Sequence, residues 1–390
     1  MKNLIILSSI LIVWGGCQTS PKSVQLPFET FQVQKITEKG IQVVEISATQ
    51  EAWPEVQYKE LKPNSYNAKN IKIAVLGDTG CRLKESKSGA RYQDCNQPSE
   101  WPYPQITKTI AAETYDFAIH TGDYHYREKC SDPKLCPMYT KSIGYGWDAW
   151  WDDFYGPSQP LFKRSPLLLV RGNHEECARA YSGWGPLSPI DKKFKDQCDE
   201  IEPYQWIEMD DLVLINFDDS SFEDRKTLKP EDRAKWAAIF KKMDEHILAL
   251  KGKKEIWLIT HRPVLGFFPS PEDAEPLAIV DNLKSVMTEA GATHFDYYLS
   301  GHVHNQQVIT TEKNAIQAIV GHTGTGLDPF GRKIMNQQMV TTSETARSFG
   351  YGIFERTGFK KWNWIFKDQN GAVVLNCKIN AAKAKCDFVN

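Results

Sequence analysis

An α/β fold is predicted by two features of this chain. Short apolar runs alternate with helix-like stretches from Ile71 onward, and five of those runs stop abruptly in polar side chains. The five are IKIAVLGDTG (71–80), DFAIHTGDYHY (116–126), PLLLVRGNHE (166–175), EIWLITH (255–261) and YYLSGHVH (297–304). Runs this apolar suit strands buried on both faces. Open α/β sheets gather ligands beyond the carboxyl ends of such strands, so side chains placed there repeatedly converge in one crevice.

The remaining elements are read from local pattern. The clearest helix spans about 230 to 250: Pro230 suits its first turn, Trp236, Ile239, Phe240, Met243 and Ile247 share one face, and Gly252 ends it. Residues 31–48 read as a hairpin turning at Glu38-Lys39-Gly40, and a second hairpin turns at Asn370-Gly371. The aromatic run GYGWDAWWDDFYGP (144–157) is read as a packed surface loop, with a substrate-facing loop as the alternative. In domain terms this gives a signal peptide (1–16), a tether (17–30), a hairpin extension (31–70), a catalytic domain (71–370) and a C-terminal strand with a disulfide-closed tail (371–390).

Composition narrows the function. Lys plus Arg (47) nearly cancels Asp plus Glu (49), so a nucleic-acid binder with a basic stripe is not expected. Lys2 followed by the apolar Leu4–Val13 is too short for a bilayer span, which takes roughly 20 residues, and reads as an export signal. Small residues before Cys17 resemble a bacterial lipoprotein signal, which makes Cys17 the lipidation site and the membrane a partner through that anchor. Gln18 after it favours the outer membrane. The other eight cysteines fall into near neighbours, Cys81/Cys95, Cys130/Cys136, Cys177/Cys198 and Cys377/Cys386. Short loops close most easily, and each closure stabilises by roughly 2–4 kcal/mol, so disulfides in this pairing are preferred over a zinc site, for which no C-x-x-C pair is present.

Taken singly, Asp78 or Asp123 after a glycine is a turn, and His261 a structural histidine. Gly172-Asn173-His174-Glu175 says more, because three polar side chains follow a strand with no helical pattern. Gly301-His302-Val303-His304 is stronger still: two histidines at i and i+2 point the same way. The five segments together resemble the calcineurin-like metallophosphoesterases, and within them the purple acid phosphatases, whose pattern GDxG, GDxxY, GNH[ED], VxxH and GHxH is met here with Leu258 in place of Val. Gly80 stands where the wider superfamily has a histidine, and Tyr126 is the compensating ligand. The resemblance covers about residues 71 to 355.

That resemblance implies a four-layer α/β-β/α sandwich of two mixed sheets with a dinuclear metal site at the strand ends. It gives one ion Asp78, Asp123, Tyr126 and His304, and the other Asn173, His261 and His302, with Asp123 bridging. The oxygen-rich set suits Fe(III), and the nitrogen-rich set Zn(II), Mn(II) or Fe(II). Ions about 3.5–4 Å apart hold a bridging hydroxide that attacks phosphorus, with His174 beside the leaving alcohol and Glu175 orienting His174. Arg82, Arg127, Arg171 and Arg179 flank motifs and, with His125 and His322, are candidate contacts to a phosphate-ester substrate; His120, His246 and His294 are read as structural. The expected activity is acid hydrolysis of phosphomonoesters. The alternatives are a phosphodiesterase with the same site and an inactive binding lipoprotein, and no obligate protein partner is evident.

Overall fold

The computed structural model describes residues 30–389, except 50–51, 85–91, 133, 140–141, 225–226, 269–276, 279–280, 311–314, 329–332, 336–337 and 342–347. The signal peptide (1–16), Cys17 and the tether up to residue 29 lie outside the described residues.

Strands β1 (Phe31–Thr37), β2 (Gly40–Ser47), β3 (Glu55–Lys62), β4 (Lys72–Leu76), β5 (Phe117–His120) and β6 (Leu167–Leu169) open the chain. They are followed by β7 (Gln205–Met209), β8 (Leu212–Asn216), β9 (Glu255–Ile259), a small pair β10 (Phe267–Phe268) and β11 (Leu277–Ala278), β12 (Tyr297–Ser300), β13 (Gln306–Thr310) and β14 (Ile316–Val320). The last six are β15 (Lys333–Met335), β16 (Gln338–Thr341), β17 (Gly350–Gly358), β18 (Lys361–Asp368), β19 (Val373–Asn380) and β20 (Lys383–Phe388). A ten-stranded sheet runs β20-β19-β18-β17-β4-β5-β6-β1-β2-β3, and an eight-stranded sheet runs β15-β16-β13-β14-β12-β9-β8-β7. Both are mixed, as expected. The hairpin at residues 31–47 joins the first sheet through β1, which runs parallel to β6.

The sheets pack face to face. Ile73, Val75, Phe117, Ile119, Phe354 and Trp364 from one meet Leu214, Trp257, Ile259, Tyr297 and Leu299 from the other in one buried cluster. Alternate residues on the outer face of the first sheet are covered by α1 (Tyr103–Ala112), α2 (Trp147–Trp150) and α3 (Gln159–Arg164), and by α4 (Tyr181–Trp184). The outer face of the second is covered by α5 (Pro230–Leu250) and α6 (Asp281–Glu289). The period-2 strands and the 3.6-residue helical stripe therefore produce four layers. α5 has the predicted bounds and buries Trp236, Phe240, Met243 and Ile247, while Ile239 is partly buried.

The aromatic run 144–157 is not the packed surface loop expected, although Tyr145 at its start is exposed and donates its hydroxyl to Glu128 (3.2 Å). It forms α2 and a π-helical turn, and Trp147, Trp150, Phe154 and Tyr155 are buried in the outer core of the first sheet. All four disulfides have the preferred pairing: Cys81–Cys95, Cys130–Cys136, Cys177–Cys198 and Cys377–Cys386.

The topology determines where the polar motifs emerge. β4, β5 and β6 are parallel and in step, with Leu76 opposite His120 and His120 opposite Leu169. β8, β9, β12 and β14 are parallel in the second sheet. At these strand ends the sheets are tied by Gly77 N donating to Thr323 Oγ1 (3.2 Å), Thr121 Oγ1 to the Val320 carbonyl (3.2 Å) and Asn216 Nδ2 to the Leu169 carbonyl (2.9 Å). All five motif segments leave their strands on this shared rim.

Candidate dinuclear metal centre

Each motif turns sharply where its strand ends. Asp78, Asp123 and His302 have positive φ of 54°, 57° and 71°. For residues with a Cβ this conformation costs of order 1–3 kcal/mol, and such strain gathers at functional sites. The motif glycines allow the loops to touch. A Cβ on Gly172 would lie 2.2 Å from Asp123 N, and one on Gly301 would lie 2.4 Å from Asp78 Oδ2.

The seven predicted ligand side chains meet. Tyr126 Oη is 2.6 Å from Asp123 Oδ2, 2.9 Å from His304 Nε2 and 3.3 Å from Asp78 Oδ1. His261 Nε2 is 3.1 Å from Asn173 Oδ1, 3.2 Å from Asp123 Oδ2 and 3.2 Å from His302 Nδ1. Asp123 Oδ2 therefore belongs to both groups. Asp123, His261 and His302 also form a cluster with the spacing of metal ligands.

The histidine tautomers give this cluster its chemistry. His261 Nδ1 faces the Thr121 carbonyl (2.8 Å), His302 Nε2 faces Asp224 Oδ2 (2.7 Å) and His304 Nδ1 faces the Gly326 carbonyl (3.1 Å). Those oxygens can only accept, so each ring carries its proton on the outer nitrogen. The neutral rings of His302 and His304 then turn an unprotonated nitrogen inward, and His261 does so once a cation takes the place of its second proton, the orientation typical of metal-bound histidines. The inward nitrogens of His261 and His304 thus face carboxylate, amide and phenol oxygens, and that of His302 faces His261. One phenolic proton cannot serve three acceptors at once, whereas cations satisfy them all. The residues present fit a pair of metal ions.

The local electrostatics agree. Burial pushes the Asp78 carboxyl well above its usual range. Burial also opposes ionisation of Asp123, but His261 and His174 hold it well below its usual value. Burial, then Asp123 and Asp78, keep the Tyr126 phenol protonated far above its ordinary range. For His261, burial is outweighed by Asp123, Asp78 and Asp219, and the imidazole rises to about 10. A field that attracts a second proton to that ring also attracts a metal cation.

His174 stands beside this group. Its main-chain N–H donates to Asp123 Oδ1 (2.8 Å), its ring lies over Tyr126, and its Nε2 is 3.8 Å from Asp123 Oδ2. Burial and Arg179 lower it to about 3, against Asp123 and Glu128. The expected role of Glu175 is corrected. Its carboxylate accepts from the main-chain N–H groups of Tyr124, His125 and Gly172, pinning two motif loops together. The His174 ring is instead held by Glu128, 2.6 Å from Nδ1. Arg179 donates to the Asn173 carbonyl (2.9 Å) and pairs with Glu128.

Three of the expected substrate contacts are structural. His125 stacks on Trp150 and bonds the Gly144 carbonyl (2.8 Å). Arg127 is buried against Asp153 and lies over Trp101 and Tyr139. Arg171 is buried, with Nη1 on Asp218 (3.1 Å) and Nε on the Glu175 carbonyl (2.9 Å). His322 is fully buried, burial lowers it to about 3, and neither ring nitrogen has a hydrogen-bond partner among the described residues. Arg82 and Arg179 remain beside the centre. His120, His246 and His294 are structural: they contact Thr79, stack on Trp206 and pair with Asp244, respectively.

The profile of the family described as Calcineurin-like phosphoesterase matches residues 71–306, more than half of the chain. The chain belongs to that family. Calcineurin-like phosphoesterases are metallophosphoesterase hydrolases that use two metal ions, and the convergent side chains are this chain's candidate for that centre. No curated protein sequence is a significant match. Among solved structures, the fold is similar to a purple acid phosphatase from yellow lupin (Lupinus luteus) seeds, at 14% identity and a TM-score of 0.50, over 85% of this chain and 58% of that one. The chain thus spans little more than half of the lupin enzyme. Weaker likenesses are the GAP50 anchor in the inner membrane complex of Plasmodium and a dimetal phosphatase from Danio rerio. The first has 15% identity and a TM-score of 0.45, over 80% of this chain and 90% of that one; the second has 10% and 0.44, over 82% and 99%.

Four carboxylates around the phosphoesterase centre carried no motif: Glu128, Asp153, Asp224 and Asp328. Asp153 is fully buried; its Oδ1 accepts from Cys81 N (2.6 Å) and Arg127 Nε (3.2 Å), and its Oδ2 from Tyr126 N (2.6 Å). It therefore joins the first two motif loops. Asp153→Ala leaves Arg127 buried without its partner, and should lower unfolding stability by about 3–5 kcal/mol, measured by urea denaturation. A loss below about 1 kcal/mol, within the range of ordinary surface changes, contradicts this role.

Proposed function

We propose that this chain is a dinuclear phosphatase of the purple acid type, exported and lipid-anchored, that hydrolyses phosphomonoesters. The observation that carries this reading is the inward convergence of three imidazole nitrogens, two carboxylates, a phenol and an amide oxygen. Asp78, Asp123, Tyr126 and His304 would hold one ion. Asn173, His261 and His302 would hold the other, with Asp123 shared. The anionic oxygens of the first set favour Fe(III), and the neutral second set favours Zn(II), Mn(II) or Fe(II). When bound, such ions polarise the ester and acidify water near neutral pH.

The chain's own residues supply the rest. Glu128 fixes the His174 ring through Nδ1, which leaves Nε2 as the atom directed at the leaving oxygen. Asp224 holds His302, and Thr121 holds His261, in the tautomers that present lone pairs. Four disulfides support an oxidising compartment outside the cytoplasm. Among the described residues no helix is long and apolar enough to cross a membrane, and lipidation at Cys17 would supply the anchor to an outer membrane.

Removing the shared carboxylate is the direct test. Asp123→Ala should lower hydrolysis of p-nitrophenyl phosphate by roughly 10³-fold or more, on the scale of losing a main catalytic group. Bis(p-nitrophenyl) phosphate should be the poorer substrate of the wild-type enzyme. Unchanged turnover in Asp123→Ala removes the activity from this site, and faster diester turnover makes the enzyme a phosphodiesterase. For the anchor, Cys17→Ser should move the protein from the detergent phase to the aqueous phase of a Triton X-114 partition. Equal partitioning of the two forms rejects lipidation.

A further inference from the structure

Arg82 and Lys84 follow the first motif and flank the centre from one side. The segment runs extended beside the second motif: Leu83 forms a parallel bridge with Arg127, its N–H donates to the Tyr126 carbonyl (3.1 Å), and its carbonyl accepts from Lys129 N (2.9 Å). Leu83 is fully buried in the core. Alternation along an extended strand then turns its two neighbours to the opposite side. Cys81, bonded to Cys95, and Arg82 N, donating to Gln93 Oε1 (2.8 Å), fix the start of the segment.

Lys84 reaches the centre, and Arg82 runs alongside it, close enough for its charge to act on Tyr126 and His304. Lys84 Nζ is 3.4 Å from His174 Nε2, the atom directed at the leaving oxygen. The Arg82 stem passes Gly326, its Cδ 3.9 Å from where a Cβ there would sit, and the Gly326 carbonyl holds His304. Arg82 Nε is buried with no hydrogen-bond partner among the described residues. Neither cation forms an ion pair among the described residues. The nearby carboxylates are engaged elsewhere: Glu128 by His174 and Arg179, and Asp123 by Tyr126, His261 and the His174 N–H. Two partly buried cations beside a metal centre, with no carboxylate of their own, call for an anion from outside.

We propose that Arg82 and Lys84 form a clamp for the phosphoryl oxygens of a dianionic phosphate monoester, and that Lys84 determines the preference for monoester over diester. This rests on the phosphoesterase reading above. A monoester brings two charges and unsubstituted oxygens that both cations can bind. A diester brings one charge and a second ester group, which leaves one donor unpaired.

The test uses the metal-loaded full-length protein and its Lys84→Met, Lys84→Gln and Lys84→Arg variants. Turnover of p-nitrophenyl phosphate and bis(p-nitrophenyl) phosphate is measured, with calorimetric binding of inorganic phosphate and metal content. Removing the charge should lower the monoester-to-diester ratio of kcat/KM, and the phosphate affinity, by roughly tenfold or more, the effect of losing one charged hydrogen bond. Lys84→Arg should recover most of both. A ratio and an affinity within about twofold of wild type, or an equal fall for both esters, overturns the clamp. A wild-type protein that holds metal but turns over neither ester sinks the phosphoesterase reading instead. The phosphate affinities of wild type and variants then still decide whether Lys84 binds the anion.

Discussion

The Asp123 carboxylate is held by a phenol at 2.6 Å, an imidazole at 3.2 Å and a main-chain N–H at 2.8 Å, each from a different part of the rim or its own turn. One oxygen serves both halves of the cluster. Buried carboxylates are stable only when their charge is answered. Here the neighbouring imidazoles turn lone pairs inward and a single phenolic proton is shared among Asp123, Asp78 and His304, so the arrangement is satisfied by cations. Much of the local architecture serves to place that carboxylate, from the left-handed backbone at Asp123 to the bare Cα of Gly172 beside it.

The strain at the rim is balanced by rigidity behind it. Strand ends in step set the heights of the first three motifs. Asp153 and Glu175 then fasten neighbouring loops through main-chain N–H groups, and two disulfides close the loops that follow the first and third motifs. Far from the site, Arg356 reaches across the inter-sheet core to Asp211 (2.6 Å) and Glu255 (3.1 Å), which fixes the opposite end of the sandwich. Ligand geometry is thus a property of the packed sheets and not of mobile loops.

The layers were legible because they obey short-range rules, and the seven convergent side chains through the resemblance that the five ordered motifs carry. Apolar runs such as IAVL and LLLV end in motifs, and Pro230 to Leu250 repeats its apolar face every turn. What could not be read is set by three-dimensional proximity. Arg127 and Arg171 adjoin motifs in sequence yet turn into the core, where Asp153 and Asp218 neutralise them. Glu128, Asp153 and Asp224 reach the centre from positions that belong to none of the five motifs. The run from Gly144 to Pro157 looked like a surface loop because its aromatics lack a clean period; its π-helical turn breaks the helical spacing and buries them. Lys84 had no motif of its own, and only the bridge at Leu83 shows which way it faces.

Anomalous X-ray scattering from crystals of the purified protein tests the central claim most directly. Two peaks are predicted on either side of Asp123, one among Asp78, Tyr126 and His304 and the other among Asn173, His261 and His302. A folded protein whose maps show no peak there after soaking with iron and zinc would contradict the account.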